Sequence, residues 1–345
     1  MILKTLTLAG FRSYKNSHFD FSPEINLIIG PNTAGKTNLL EAIYLLSSAK
    51  SFRAQKEKEM VNWFCETAHL TGKTEEAILA ITLTRGELGG EKVIGKRLLL
   101  NNIGRRRLDF VGNLKAVVFS PEDLELIGGS PSSRRGYLDA VLEQIDKEYR
   151  RASLTYTKAL RTRNKLLVKR KEGERVLPEE MAYWDDLLLE NGPVLAQKRE
   201  EFIDFLNNHG DSGRKIVYDK SLMSSARLVQ YAEEEVAAGM TLVGPQRDDF
   251  SFEFENRNLA IYGSRGEQRL AVLWLKLGEL EFMVSKCGER PILLLDDIFS
   301  ELDHKHRRYV FDIIPQQQTI ITATDLHLIE QDYQQKAKMI ELRLR

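Results

Sequence analysis

Gly30-Pro31-Asn32-Thr33-Ala34-Gly35-Lys36-Thr37 satisfies every fixed position of the pattern G-x-x-x-x-G-K-[ST]. Each fixed position has a physical task. The two glycines let the backbone curl until its N–H groups point inward at phosphate oxygens. Lys36 brings a point charge to the β- and γ-phosphates, and the Thr37 hydroxyl is a ligand for Mg²⁺. Pro31, Asn32, Thr33 and Ala34 complete the cradle between the fixed positions. A short apolar run, Ile25-Asn26-Leu27-Ile28-Ile29, precedes the motif. The segment after it carries Leu39, Leu40, Ile43 and Leu46 at helical spacing. Strand, glycine loop and helix are the context this chemistry demands, because the helix aims its positive dipole end at the anion. The expected ligands are ATP and Mg²⁺.

A second group of residues can complete that site. Leu293-Leu294-Leu295 is an apolar strand ending in Asp296-Asp297. A carboxylate at the end of such a strand can hold Mg²⁺, directly or through water. Asp296 takes that role, and Asp297 is placed to orient or deprotonate an attacking water. Upstream, Ser264-Arg265-Gly266-Glu267-Gln268 reads S-x-G-x-Q and opens a helical run. Ser264 and Gly266 at a helix start make another anion cradle, with Gln268 closing the motif. In ABC-type ATPases such a motif in one subunit caps the γ-phosphate held by the other. Ser300-Glu301-Leu302-Asp303 resembles the loop that joins the two sites in that class. Thr322-Ala323-Thr324-Asp325, after the last strand, stands where that class has its switch residue, with Thr324 or Asp325 to serve.

These residues need a parallel sheet to position them. Ile292–Leu295 and Thr319–Thr322 are further buried-strand candidates that would share one sheet with Ile25–Ile29. The first third otherwise reads as strands of a mixed sheet. From Pro131 the pattern changes. Leu138, Val141, Leu142, Ile145, Tyr149, Ala152, Tyr156 and Ala159 predict one long amphipathic helix. Met181 to Phe205 predict a second, which Asn191-Gly192-Pro193 should kink or interrupt. The fold class is therefore α/β with an inserted helical lobe. Residues 1–120 are expected to form the first part of an ATPase head, 121–238 the lobe, and 239–345 the second part of the head.

Composition sets outer limits. The chain has 345 residues, 42% hydrophobic and 29% charged, an ordinary globular balance. Cys65 and Cys287 have neither zinc-site spacing nor a disulfide framework. No apolar run is long enough to span a bilayer and the N-terminus lacks a signal pattern, so a cytoplasmic protein without a membrane partner is expected. Fifty Lys and Arg balance fifty Asp and Glu, so any DNA contact must come from local basic patches. Lys50 and Arg53 are the first candidates, and Arg105, Arg106 and Arg107, after an Asn101-Asn102 turn, the next. Arg161 to Lys165 and Arg134-Arg135 are also basic, the latter pair open to a structural reading. No aromatic stacking series for single strands is evident, which favours a duplex or a single-strand/double-strand junction.

The ordered set resembles the RecF family, relatives of the SMC and Rad50 heads. Phe11-Arg12-Ser13-Tyr14 is similar to an N-terminal strand motif of that superfamily, and the resemblance makes Arg12 a contact for the nucleotide phosphates. The segment Ser120 to Asp139 and the element Gly244-Pro245-Gln246-Arg247-Asp248-Asp249 resemble RecF in particular. The resemblance implies an ATP-dependent homodimer that binds DNA, hydrolyses ATP slowly, and works with RecR and RecO to help RecA assemble at gaps. Asp297 stands where transporters and SMC heads place Glu, as RecF relatives commonly have it. Glu267 stands where the family usually has Gln, and the switch position lacks His. Two other readings remain: another SMC-like ATPase, against which Ser120–Asp139 speaks, and a metabolic P-loop kinase, which leaves S-x-G-x-Q unexplained.

Overall fold

A computed structural model describes every residue except 210–212, 303, 344 and 345. The chain divides into two compact units, Met1–Asp123 with Glu279–Arg345, and Leu124–Gly278.

The first unit holds two large sheets with a helix between them, and a two-stranded ribbon of Glu87–Leu88 and Glu91–Lys92. One is parallel, with strands in the order Ala116–Phe119, Ile292–Asp296, Thr319–Ala323, Ile25–Ile29 and Lys338–Glu341. Ala116–Phe119, Ile292–Asp296 and Thr319–Ala323 are buried at every position, which is why they read as unbroken apolar runs. The N- and C-terminal parts of the chain do share this sheet. The other sheet is antiparallel, in the order Tyr14–Asp20, Leu3–Phe11, Thr67–Thr74, Ile78–Thr84, Lys96–Leu100 and Ile103–Arg105. Ile78–Thr84 alternates buried and half-buried residues, the mark of a sheet with one face on the core. The expected mixed sheet is thus two separate ones.

The helix Lys36–Ser48 packs into one core with residues of both sheets, among them Leu6, Leu70 and Ile81 on one side and Ile28, Leu294 and Ile320 on the other. It is buried nearly all round, so its N-terminus is fixed in place from every direction. That rigidity matters because ligands of such sheets bind at the carboxyl ends of parallel strands.

The second unit carries the helices Pro131–Ile145, Lys147–Lys171 and Pro178–Asn208. The single helix expected over the first two is broken at Asp146, whose carboxylate caps the second by accepting from the Tyr149 N–H. Hydrophobic periodicity does not register a break one residue long. The third helix continues through Pro193 instead of stopping there. The strands Arg214–Asp219, Asp249–Phe254 and Arg257–Asn258 form a small antiparallel sheet beside these helices. Here the boundary expected at residue 239 moves. Asp249–Phe254 pairs with Arg214–Asp219, so residues 239–278 belong to this unit and not to the head.

A buried ionic network ties the unit together. Arg199 donates to Asp139, Asp248, the Tyr149 hydroxyl and the Pro245 carbonyl, all within 3.0 Å. Arg134 grips Asp249 through two hydrogen bonds, of 2.6 and 2.8 Å, and Arg135 donates to the Asp248 carbonyl. Arg163, from the basic run Arg161–Lys165, pairs with Asp185 and Glu235. Arg134, Arg135 and Arg163 are thereby committed to internal partners. Arg199→Ala leaves Asp248, itself fully buried, without its cation. We expect a loss of about 3–5 kcal/mol in urea unfolding; a loss below about 1 kcal/mol would show that the network is dispensable.

Candidate functional site

Close approach dictates the two loop glycines. A Cβ on Gly35, whose φ is 99°, would lie 2.7 Å from the Ser13 hydroxyl and 3.1 Å from that of Tyr14. Tyr14 in turn donates to the Gly35 carbonyl at 3.0 Å. A Cβ on Gly30 would lie 2.6 Å from the Leu342 carbonyl, where the chain leaves the edge strand of the parallel sheet. The loop is therefore clasped by the N-terminal turn and the C-terminal strand. Between the glycines, Pro31, Asn32 and Thr33 are exposed, with Thr33 at a φ of 73°, while Ala34 is buried and donates its N–H to the Pro31 carbonyl.

Lys36 begins the buried helix, and its ammonium group donates to the carbonyls of Gly30 at 2.7 Å and Pro31 at 3.1 Å. Burial lowers its pKa, and the charges of Asp297 and Asp296 oppose that shift. Asp296 is 4% exposed. Its Oδ1 accepts from the hydroxyls of Thr37 at 3.0 Å and Thr322 at 2.8 Å. Burial raises its pKa, and those two hydrogen bonds partly counter the rise. Asp297 is half-buried with a left-handed backbone, φ 52°, and its N–H donates to the Thr322 hydroxyl at 3.0 Å. Strand register explains the convergence, because Asp296 pairs with Thr322 and Thr322 with Ile28, just before the loop.

These residues fit a nucleotide with Mg²⁺. A hydroxyl and one carboxylate meet beside a lysine, and a metal that takes its other ligands from phosphate and water needs little more from protein. Among the described residues no cluster of three His, Cys, Asp or Glu offers an all-protein metal cage.

Other residues named from the sequence sit differently. The Arg12 guanidinium is committed elsewhere: it holds buried Glu41 through two bonds, of 2.8 and 2.6 Å, and donates to the Glu59 carbonyl. Its neighbours Ser13 and Tyr14 are the residues of that motif that touch the loop. Thr324 and Asp325 are exposed, and Asp325 caps a short turn by accepting from the His327 N–H. The threonine that reaches the Asp pair is Thr322. Asp303 lies outside the described residues.

In the second unit Ser264, Arg265 and Gly266 are exposed at the start of the helix Arg265–Cys287. Gln268 reaches back to the Leu259 carbonyl at 2.9 Å. A Cβ on Gly266 would meet nothing nearer than the Ser264 hydroxyl at 3.9 Å, so the fold itself does not require a glycine there.

Of the basic candidates, Arg53 pairs with Glu122 at 3.6 Å, and its charge acts to lower the pKa of Asp296. It belongs to the surroundings of the phosphate site. Lys50 is exposed beside it in sequence. Arg107 donates to the Ser48 carbonyl at the end of the loop helix and is a structural group. Arg105 and Arg106 are exposed and, with Lys96, Arg97 and Arg107, line an open groove of about 660 Å³. Sequence reading missed Arg97 and an exposed aromatic pair, and it placed Thr322 in the switch segment without giving it a role of its own. Trp63 and Phe64 are 88% and 87% exposed, under the cations of Arg85 and Lys15. Their turn is tied to the loop's clasp by the Asn62 side chain, which donates to the Arg12 carbonyl. Two adjacent aromatics in a polar turn were the available signal.

A family model described as RecF/RecN/SMC N terminal domain matches residues 2–342. A protein of Herpetosiphon aurantiacus named DNA replication and repair protein RecF is 37% identical over 363 aligned residues, covering 94% of both chains. Its namesake in Lactococcus lactis is 35% identical, covering 94% of this chain and 93% of its own. Among solved structures, one described as the recombination mediator protein RecF with ATPrS in the RecFOR pathway matches with a TM-score of 0.82 at 33% identity, covering 95% of this chain and 94% of that one. An SMC head bound to the C-terminal winged-helix domain of ScpA shares the fold, with a TM-score of 0.53 at 17% identity, and covers 100% of this chain and 95% of that one.

The raised pKa of Asp296 has a consequence for stability. Burial disfavours its charged form, so the native state gains most when the group is protonated, and that gain is lost as pH rises through its pKa. Asp296→Asn removes the charge. The variant should melt higher than the parent near neutral pH, by about 2 °C for a change of order 1 kcal/mol. The gap should close as pH falls toward the ordinary carboxylate range; a variant that melts lower at neutral pH contradicts the assignment.

Proposed function

This chain belongs to the RecF family, and from that premise we propose that it is an ATP-driven DNA clamp whose nucleotide site is closed by a second copy. Lys36 and the loop N–H groups hold the β- and γ-phosphates. Thr37 and Asp296 hold the metal, with Thr322 keeping the carboxylate in orientation. When bound, Mg²⁺ neutralises charge on the phosphate oxygens. Asp297 orients or deprotonates the attacking water. Trp63 and Phe64 offer exposed rings on which the adenine stacks. Arg12 is a positioning residue: by holding Glu41 it fixes the turn that presses Ser13 and Tyr14 onto Gly35.

One observation carries the pairing. Ser264 and Gly266 lie exposed at the start of a 23-residue helix, with open space where a Gly266 side chain would stand. Such a start is an anion site, and we assign it the γ-phosphate bound to Lys36 of the partner copy. Lys36→Ala should abolish nucleotide-dependent dimerisation together with binding of the nucleotide. Ser264→Arg should leave ATP binding by the monomer intact and block pairing. Gel filtration and equilibrium binding of a fluorescent ATP analogue read both. Equal loss of the two properties in the Ser264 variant would place the serine in its own chain's site, and a single elution position with and without ATP would favour the kinase reading.

DNA, as duplex or junction, lies against Arg97, Arg105 and Arg106, whose side chains have no ion-pair partner among the described residues. Two copies place two such grooves on one clamp, which lets a chain of zero net charge grip a polyanion. Family membership extends the proposal to slow hydrolysis and to RecR, with RecO, as partners in RecA assembly. Replacing Arg105 and Arg106 with Ala should weaken DNA binding and lower the slope of log K against log salt by about 2 per copy, near one for each phosphate that is no longer neutralised. An unchanged slope removes the groove from the DNA path.

A further inference from the structure

The fourth residue of the serine–glycine motif already occupies the Ser264 backbone N–H at the helix start. The Glu267 Oε2 accepts from the Ser264 backbone N–H at 2.7 Å, and the Ser264 hydroxyl accepts from the Glu267 N–H at 3.2 Å. This reciprocal pair is a capping box at the start of the helix Arg265–Cys287. Arg257 stands 3.6 Å from the other carboxylate oxygen. Hydrogen bonds from the Ser264 backbone and side chain, then the charges of Arg257 and Arg214, hold the carboxyl below the ordinary range, so it is ionised at neutral pH. The helix start thus carries an anion of its own.

We propose that Glu267 is an internal competitor for the helix start: it sets how much triphosphate is needed before two copies pair. This rests on Ser264 acting across the dimer. A γ-phosphate approaching Ser264 meets a carboxylate on the same N–H, with like charge at hydrogen-bond range. Pairing then requires Glu267 to leave the Ser264 N–H, or to stay and face the phosphate across an interface from which water has been removed. Such repulsion is stronger in the closed interface than in open solvent. Arg257 and Arg214 are the groups that would receive the displaced carboxylate. The same cap stabilises the helix in the free chain, so the unpaired state is favoured on both counts until nucleotide arrives. Glu267 acts here on the threshold and touches no reacting atom, so it is a positioning residue.

Glu267→Gln separates charge from geometry, because a glutamine side chain makes the same reciprocal cap. Sedimentation velocity of the full chain, with Mg²⁺ and a non-hydrolysable ATP analogue, gives the dimer dissociation constant. The variant should pair about tenfold more tightly than the parent, equivalent to about 1.4 kcal/mol. Its advantage should shrink as sodium chloride is raised, since screening weakens the repulsion it relieves. Glu267→Ala, which loses cap and charge together, should also pair more tightly than the parent; a purely structural cap would make it pair less. Equal or weaker pairing by the glutamine variant overturns the proposal. If it does so while Ser264→Arg still blocks pairing, the dimer reading stands without it. If neither parent nor variant pairs with nucleotide, the dimer reading fails and the competitor has nothing to gate.

Discussion

Asp296 is where the two ends of the chain meet. Its carboxylate oxygen receives hydroxyls from Thr37, at the start of the loop helix, and Thr322, on the strand beside it. Burying a carboxylate is costly unless it is hydrogen-bonded or paired. The parallel sheet supplies the compensation by register: Asp296 lies opposite Thr322, and Thr322 opposite Ile28. A slip of one residue would turn the carboxylate to the other face of the sheet. The raised pKa records the part of the cost that the two hydroxyls do not offset. A metal bound at this point would supply positive charge to the carboxylate. Stability and function pull in opposite directions at this one side chain.

The surroundings of this carboxylate are rigid. The loop helix is held between two sheets and cannot retreat. Gly30 and Gly35 are fixed by the Leu342 carbonyl and the Ser13–Tyr14 turn, so the loop is gripped by residues from both ends of the sequence. Arg12 tightens the same grip at one remove through Glu41, whose burial is complete. Removing that guanidinium would leave a buried anion without its cation directly on the loop helix. Loss of phosphate binding is thus a consequence that Arg12 and a true phosphate ligand would share, although the mechanisms differ.

The contrast explains what could be read from the sequence. Lys36, Thr37, Asp296 and the sheet that unites them were legible because phosphate chemistry restricts residue type and spacing together, and because buried parallel strands are apolar throughout. Thr322 was not singled out, since a threonine inside an apolar strand has many reasons to be there; only register makes it a partner of Asp296. Arg12 has the same side chain whether it meets phosphate or Glu41, and 29 residues separate it from its partner. The break at Asp146 and the pairing of Asp249–Phe254 with Arg214–Asp219 depend on one cap and one tertiary ladder, neither of which alters the hydrophobic period. Basic residues were the least legible of all. Arg107, Arg134 and Arg163 looked like Arg53 in sequence and proved to be anchored to different internal groups, whereas Arg53 meets the exposed Glu122.

Under the proposed pairing, the loop and the start of the helix Arg265–Cys287 meet the phosphate with different electrostatic surroundings. At the loop, the Lys36 ammonium donates to the Gly30 and Pro31 carbonyls, and the carboxylates whose charges act on it are Asp297 and Asp296. At the start of the helix Arg265–Cys287, the Ser264 N–H is already bonded to the Glu267 carboxylate. On that proposal a phosphate can settle at the loop of a single copy without displacing any carboxylate, whereas its capture by a second helix start would have to replace the charge-assisted hydrogen bond from Ser264 to Glu267. Such an arrangement separates binding from pairing: nucleotide fills the loop first, and the dimer follows only when the new interactions exceed the one they replace. A protein whose pairing responds to bound nucleotide must associate weakly in its absence, and under the proposal a single carboxylate on the receiving helix would provide that.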